Sequence, residues 1–210
     1  MQKLTILVCF LILSCVFSKS GFGKCPIQPT PAVQQNFDVA PYMGKWFEQM
    51  RDNGTFFQNG DCTTATYSLN SDNTVRVDNF EYNLDNQTPK NAIGQATCPA
   101  VSGGEAKCSV TFGTQWWSFL TKGNYWVLET DYTSYTVVYS CSEILWGLYS
   151  SEFLWVLTRD QVPSAETLSK VDAVLNRINF PRDRFRVTKQ GGACVYSTSN
   201  KFSEYLRYQQ

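Results

Sequence analysis

Short segments with strand-like patterning recur along most of this chain, and this recurrence restricts the fold more than any other sequence feature. Eight segments rich in β-branched and aromatic residues are separated by groups of Asn, Asp, Gly and Ser that favour turns. They are Lys45–Arg51, Thr63–Leu69, Thr74–Tyr82, Ala92–Cys98, Ala106–Phe112, Tyr125–Asp131, Tyr135–Cys141 and Glu152–Thr158, with a short last strand near Phe185–Lys189. This spacing predicts an all-β domain, either an up-and-down barrel or a sandwich.

The alternation of side chains indicates which strand faces point inward. Ala65, Tyr67 and Leu69 alternate with Thr and Ser residues, so one face of that strand faces the core. Segment 152–158 is apolar on both faces, and its outer face therefore needs a cover. A helix predicted after Ser164, its N-cap, supplies apolar residues at helical spacing, namely Leu168, Val171, Val174, Leu175 and Ile178.

The first residues have the form of a secretory signal peptide. Lys3 precedes an uncharged apolar run, 4–17, that is shorter than the ~20 residues of a membrane-spanning helix. We expect a signal peptide over 1–18, cleavage near 18–20, a single domain over 19–197 and a polar C-terminal tail over 198–210. The mature protein would then be secreted and extracellular.

Charge and cysteine content narrow the classes of partner and site. The chain has 18 basic and 18 acidic side chains, so it offers no basic stripe to nucleic acid. Two of its eight cysteines lie in the signal segment, and the even number that remains predicts three disulfides, although spacing alone leaves the pairing open. The chain has no histidine and no Cys-x₂-Cys pair, so it lacks the usual ligands of a zinc site. We expect no metal and no cofactor. Asn53 and Asn86 begin glycosylation sequons.

Three groups of residues carry a resemblance to a known family. They are Gly44-Lys45-Trp46 at the first strand, Thr130-Asp131-Tyr132 at the end of the sixth, and the run from Trp155 to Arg159 before the helix. In this order they resemble the motifs of lipocalins, in the form found in apolipoprotein D-like and insect bilin-binding members. The resemblance spans residues 23–195. It implies an eight-stranded up-and-down antiparallel β-barrel with one C-terminal α-helix packed on its outside.

The resemblance also implies structural roles for three residues of these motifs. Trp46 would plug the closed end of the barrel, and Arg159 would lie across the indole ring while donating to backbone carbonyls. Gly44 would let the backbone pack closely beside this plug. None of the three is expected to bind a ligand.

The cysteine pairing follows in part from the resemblance. Apolipoprotein D-like chains imply Cys25–Cys141 and Cys62–Cys194. Cys98 and Cys108 depart from that pattern, and they flank a Gly103-Gly104 turn. We expect them to form a third, local bridge across a hairpin.

Strand parity and the resemblance together suggest residues that line a cavity, namely Tyr67, Val77, Asn79, Phe153 and Trp155. Asn79 is informative, because a buried amide on an apolar face needs a partner that a ligand could supply. The alternative is that the aromatic side chains simply fill the barrel and Asn79 bonds a neighbour or a water molecule.

The function implied is extracellular binding and transport of a small hydrophobic ligand, such as a fatty acid, other lipid, steroid, retinoid or tetrapyrrole. A surface-mediated interaction protein, such as a pigment-complex subunit or an inhibitor, is the main alternative. A prostanoid isomerase-type enzyme needs a free thiolate, which an even set of paired cysteines does not leave. We therefore expect no enzymatic activity. We also expect the protein to be a monomer or a weak homodimer.

Two apolar segments fall where loops are expected, although loops normally meet water. The residues concerned are Trp116, Trp117 and Phe119 in one segment, and Leu145 and Trp146 within 144–149 in the other. Strand alternation puts both at the open end of the barrel. They could serve as a lid, as a dimer interface, or as a transient contact with a membrane or lipoprotein.

Overall fold

The computed structural model describes residues 20–25, 27, 30–113, 122–144 and 146–196. Its strands are β1 (Ser20–Phe22), β2 (Gly44–Asp52), β3 (Asp61–Leu69), β4 (Val75–Asn83), β5 (Thr88–Thr97), β6 (Lys107–Phe112), β7 (Gly123–Thr130), β8 (Tyr135–Ile144), β9 (Tyr149–Thr158) and β10 (Phe185–Val187). Its helices are α1 (Val39–Tyr42) and α2 (Ala165–Arg177), and a 3₁₀ turn covers Arg182–Arg184.

Eight of the described strands, β2 to β9, form a closed antiparallel barrel in which each strand pairs with the next. Pairing of β2 with β9, for example Glu48 opposite Leu157, closes the cylinder. The expected up-and-down barrel is confirmed. Two short strands extend it, because β1 pairs with β9 and β10 pairs with the part of β2 that β3 leaves free.

The two ends of the barrel differ. At one end, here called the closed end, lie the start of β2, the turns 70–74, 98–106 and 131–134, and segment 33–43 with α1. Phe37, Val39 and Tyr42 of that segment are buried and close this end. The opposite end, here called the open end, carries the connections 53–60 and 84–87 and the described residues 146–148.

Helix α2 covers the outer face of β8 and β9, as the apolar pattern predicts. The Ser164 hydroxyl caps the helix by accepting from the Thr167 N–H at 3.1 Å. Val171, Val174 and Leu175 are buried in one cluster with Leu154 and Val156 of β9. The expectation for Leu168 is wrong: it is 37% exposed, and Thr167 turns inward in its place.

Several segment bounds also differ from the sequence-based expectation. Strand β5 begins at Thr88 rather than Ala92, because its polar first residues pair with β4 through backbone hydrogen bonds that carry no hydrophobic signal. Segment 144–149 is shorter as a loop than expected, since Ile144 pairs directly with Tyr149. Strand β1 and helix α1 are too short to leave a periodic pattern.

The three expected disulfides are present. Cys25–Cys141 ties the N-terminal segment to β8, and Cys62–Cys194 ties β3 to the C-terminal segment. Cys98–Cys108 joins the residue after β5 to β6, across ten residues of chain. The expected signal peptide, 1–18, and the expected polar tail, 198–210, lie outside the described residues.

Candidate functional site

The closed end is built around Trp46, which is 0% exposed. Its indole Nε1 donates to the Tyr42 carbonyl at 3.0 Å, and the Arg159 guanidinium carbon lies 3.7 Å from the ring centre. Arg159 also donates to carbonyls of Tyr132 (2.9 Å), Lys45 (3.0 Å) and Pro41 (2.9 Å). A cation stacked on an indole and bonded to three backbone segments holds this end shut.

The β7–β8 turn is held by one carboxylate. Asp131 accepts backbone N–H bonds from Thr133, Ser134 and Tyr135. Partial burial acts to raise the pKa of Asp131, but a hydrogen bond from the Ser134 hydroxyl and the three backbone bonds outweigh it and leave the pKa below its ordinary value. The Thr-Asp-Tyr motif therefore fixes a turn at the closed end.

Three tyrosines form a hydrogen-bonded cluster across the barrel interior above the Trp46 plug. The Tyr125 hydroxyl bonds those of Tyr42 and Tyr67, both at 2.8 Å, and Tyr42 also bonds Thr136 at 3.2 Å. Burial raises the pKa of Tyr42 to about 12 and raises the pKa values of Tyr67 and Tyr125 well above the ordinary range. The cluster is therefore neutral, and it forms the floor of the space above.

Little room remains around this floor. The cavity there has a volume of about 20 Å³, enough for about one water molecule. Its lining includes Tyr67 and Val77, which the sequence suggests as ligand-binding, together with the Cys98–Cys108 bridge. These residues lie inside the barrel as expected, but the closed half that they line is packed.

The open half of the barrel contains the other suggested residues. On β9, Phe153 and Trp155 share the inner face with Leu157 and are only partly buried. Asn79 of β4 also faces inward, between Ala65 of β3 and Ala92 of β5. The side chains that flank Asn79 across the sheet are therefore small, and the two aromatic rings of β9 are incompletely covered.

A buried ion pair occupies the inner face of β2 in the same half. Glu48 and Arg51 are each 1% exposed and bonded to one another, and Thr188 bonds both. The remaining Nη2 of Arg51 donates to the carbonyls of Gln58 (3.1 Å) and Gly60 (2.8 Å). Sequence reasoning missed this pair.

The β2–β3 connection, 53–60, folds over this half and is here called the 53–60 loop. Gln58 accepts from the Trp155 indole at 2.8 Å and donates to Glu48 at 3.4 Å. The rings of Phe56 and Phe57 lie 6.4 and 5.4 Å from that of Phe153. The loop thus contacts the suggested cavity residues directly and partly covers them.

Exposed apolar side chains occur at the open end. Trp146 is 96% exposed and Leu148 62% exposed at the tip of the β8–β9 hairpin. Phe22 of the adjoining β1 packs edge-on against Tyr149. The other apolar residues expected at the open end lie outside the described residues; they are Trp116, Trp117, Phe119 and Leu145.

The sequon asparagines also lie at the open end. Asn53 follows β2 and is exposed, and Asn86 is exposed in the β4–β5 turn, where its side chain accepts from the Thr88 N–H at 3.2 Å. In the described ranges, no cluster of three or more His, Cys, Asp or Glu side chains is placed to hold a metal ion. No helix within those ranges has the length and apolar character needed to cross a bilayer.

Comparison with known proteins agrees with this architecture. The family model described as a lipocalin-like domain matches residues 37–190. Apolipoprotein D of Bos taurus is 38% identical over 168 residues, which cover 80% of this chain and 83% of that protein. The Lazarillo protein of Schistocerca americana is 30% identical over 156 residues, covering 74% of this chain and 71% of that protein.

Solved structures share the fold at lower identity. Insecticyanin from the tobacco hornworm Manduca sexta aligns with a TM-score of 0.69 at 24% identity, covering 85% of this chain and 93% of that one. Lobster apocrustacyanin A1 aligns with a TM-score of 0.66 at 23% identity, covering 86% of this chain and 96% of that one.

Proposed function

This chain belongs to the lipocalin family, and from that premise we propose that it binds a small hydrophobic ligand in the open half of its barrel and carries it outside the cell. The family is known for binding small hydrophobic ligands. A fatty acid, other lipid, steroid, retinoid or tetrapyrrole has the required apolar character. The proposed lining is Tyr67 and Val77 near the floor, with Asn79, Phe153 and Trp155 above them.

One observation carries this proposal: Phe153 and Trp155 lie inside the barrel yet are only partly buried. Aromatic side chains in a fully packed core would be covered on all sides, as Trp46 is. Burying apolar ligand surface against them stabilises a complex by about 25 cal/mol per Å². Asn79 and Gln58 supply polar groups beside the rings that can orient a ligand.

Fluorescence titration with retinol tests the proposal. We expect saturable quenching of tryptophan emission, and we expect Trp155→Phe to remove most of that quenching and weaken binding. Trp126→Phe is the matched control, because Trp126 packs on the outer face of the barrel against the helix-side cluster. Saturable quenching that Trp155→Phe leaves unchanged would place the ligand elsewhere.

Three disulfides and the sequence of residues 1–20 support an extracellular setting, where disulfides persist. They also bear on catalysis. All six cysteines beyond the signal segment are paired in disulfides, so none can supply a nucleophilic thiolate in the cavity. The chain also has no histidine. We propose a carrier without enzymatic activity.

Transient contact with a membrane or lipoprotein is a second proposed activity, and Trp146 is the observation that favours it. A tryptophan that is almost fully exposed, two residues from an exposed leucine, suits a lipid–water interface. Such contact would let the open end collect an insoluble ligand. The proposal includes a monomer or weak homodimer in solution.

A further inference from the structure

Two buried polar atoms on strands β3 and β4 have no hydrogen-bond partner among the described residues. In the described part of the chain, four buried side-chain atoms lack one: Thr63 Oγ1, Asn79 Oδ1, Asn91 Oδ1 and Arg184 Nη2. Arg184 is compensated by an ion pair with Asp52 at 2.6 Å. Asn91 pairs with Phe80 and therefore lies on the outer face. The unpartnered atoms of Thr63 and Asn79 are therefore the two that no neighbouring charge or outer-face position accounts for.

Both side chains face the open half of the barrel. Asn79 is the cross-strand partner of Ala65. A register shift between Asp61 and Thr64 is centred on Cys62, whose φ is +54°, and the alternation that resumes from Thr63 through Thr64 to Ala65 puts Thr63 on the face of Ala65. Thr63 is 3% exposed, so its hydroxyl is not hydrated. A buried polar group without a partner costs about 1–3 kcal/mol, a cost that a bound ligand group can remove. Asn79 as a residue is only partly buried while its Oδ1 is covered, so a ligand hydroxyl would reach Oδ1 after the amide rotates.

The cations near these two residues are already neutralised. Arg51 is bonded to Glu48, Lys90 lies 3.0 Å from Glu81, and Arg186 lies 3.1 Å from Asp61.

Arg51 has no donor to spare on its two terminal nitrogens, since Thr188 and two backbone carbonyls take the bonds that Glu48 leaves. Glu48 in turn receives bonds from Arg51, Thr188 and Gln58. The positive charge of Arg51 is therefore fully engaged within the protein.

We infer that the barrel selects an uncharged amphiphile whose hydroxyl donates to Asn79 Oδ1 and accepts from the Thr63 hydroxyl, in preference to the carboxylate with the same skeleton. This inference rests on the proposed ligand-binding function and specifies the ligand's head group. A carboxylate cannot donate to Asn79 Oδ1. It would also carry a charge into the barrel beside Glu48, where the described cations Arg51, Lys90 and Arg186 are already paired with carboxylates and do not compensate its lost hydration.

Retinol and retinoate test the inference, because they share one skeleton and differ at the head group. At pH 7.5 we expect retinol to bind at least about tenfold more tightly than retinoate, measured by quenching of tryptophan emission. A neutral hydrogen bond contributes about a factor of five to affinity, so Thr63→Val with Asn79→Leu should weaken retinol binding at least about tenfold. The affinity for retinoate should fall less, because a carboxylate can accept from Thr63 but cannot donate to Asn79 Oδ1.

Asn91→Leu is the matched control, because it removes the same kind of side chain from the outer face and should leave both affinities unchanged. Equal affinities for the two ligands, or tighter binding of retinoate, would overturn the inference but leave the proposed function standing. Absence of saturable binding by either ligand would overturn both. If the double variant does not fold, Asn79→Leu alone must still lower the preference for retinol, because Asn79 Oδ1 is the acceptor that a carboxylate cannot use, and an unchanged preference refutes the inference.

Discussion

The Arg159 guanidinium carbon lies 3.7 Å from the centre of the Trp46 ring, and the same guanidinium bonds carbonyls on three separate segments of the closed end. Gly44 makes this approach possible. Its φ of +94° is unfavourable for other residues, and a Cβ atom there would lie 3.3 Å from Arg159 Nη1. The two residues therefore act on the stability of the fold rather than on ligand binding.

Arg159→Lys should lower the free energy of unfolding by about 2 kcal/mol, because an ammonium replaces neither the stacked plane nor the forked donors. Retinol affinity of the folded fraction should stay unchanged. Urea unfolding at neutral pH measures the first quantity. Unchanged stability would show that the stacked pair contributes nothing.

Loss of the three disulfides should have unequal effects. In the chain-entropy model, Cys98→Ser with Cys108→Ser opens a loop of ten residues and costs about 3 kcal/mol, whereas Cys62→Ser with Cys194→Ser opens one of 132 residues and costs about 5 kcal/mol. Thermal unfolding of the two double variants compares these costs directly. The reverse order would mean that native packing around Cys98 and Cys108, not chain entropy, dominates.

The tyrosine cluster predicts a loss of stability at alkaline pH. The pKa of Tyr42 is about 12 in the folded protein, against about 10 in an unfolded chain, and the pKa values of Tyr67 and Tyr125 are also raised. Stability is therefore complete below pH ~10 and falls as the pH rises towards the folded values, by up to ~1.4 kcal/mol per pH unit for each tyrosine. Urea unfolding at pH 9 and pH 11 measures the fall.

Tyr42→Phe should make this pH dependence shallower, while Tyr149→Phe, at the exposed end of the β8–β9 hairpin, should not change it. Equal steepness in the parent and Tyr42→Phe would contradict the prediction.

The buried pair Glu48–Arg51 predicts a non-additive double variant. Arg51→Met alone should destabilise the fold by about 3–5 kcal/mol, because it leaves the Glu48 carboxylate buried without its counter-charge. Glu48→Met with Arg51→Met removes both charges, and it should recover most of that loss. A double variant no more stable than Arg51→Met would show that the pair's bonds to the 53–60 loop matter more than its charge.

Membrane contact is tested at the hairpin tip. Trp146→Ser with Leu148→Ser should reduce co-sedimentation with phosphatidylcholine liposomes and leave thermal stability unchanged, since both side chains are exposed. Val162→Ser is the control, as Val162 is 80% exposed but lies after β9, at the closed end. If the double variant and the parent sediment equally, the contact proposal fails for this hairpin.

The strands were predictable because side-chain alternation survives in the sequence, and the outer cover of β9 was predictable because both of its faces are apolar. The Glu48–Arg51 pair was not predictable from alternation. Residues three apart should face opposite sides of a strand, yet a bulge between Glu48 and Met50 restores both to the inner face. A bulge leaves no mark on hydrophobic periodicity.

The candidate site was predictable in the same limited way. Parity placed Asn79 and Trp155 on inner faces, because regular pairing holds along β4 and β9. Gln58 and the floor tyrosine Tyr42 come from irregular segments, whose side-chain directions depend on tertiary contacts. The tight packing of the closed half was not predictable, because it depends on the combined volumes of many side chains and not on any one residue. This packing is the reason that the ligand is proposed to bind nearer the open end.

The strand order also constrains how the molecule can approach a flat surface. The β8–β9 hairpin that carries Trp146 and the β4–β5 turn that carries Asn86 are separated by half of the eight-stranded circuit, so they stand on opposite sides of the mouth. A glycan on Asn86 would act as a spacer on one side while Trp146 touches lipid on the other. A glycosylated molecule would then dock with its barrel axis inclined towards Trp146, so that the open end of the barrel faces the lipid surface at an oblique angle.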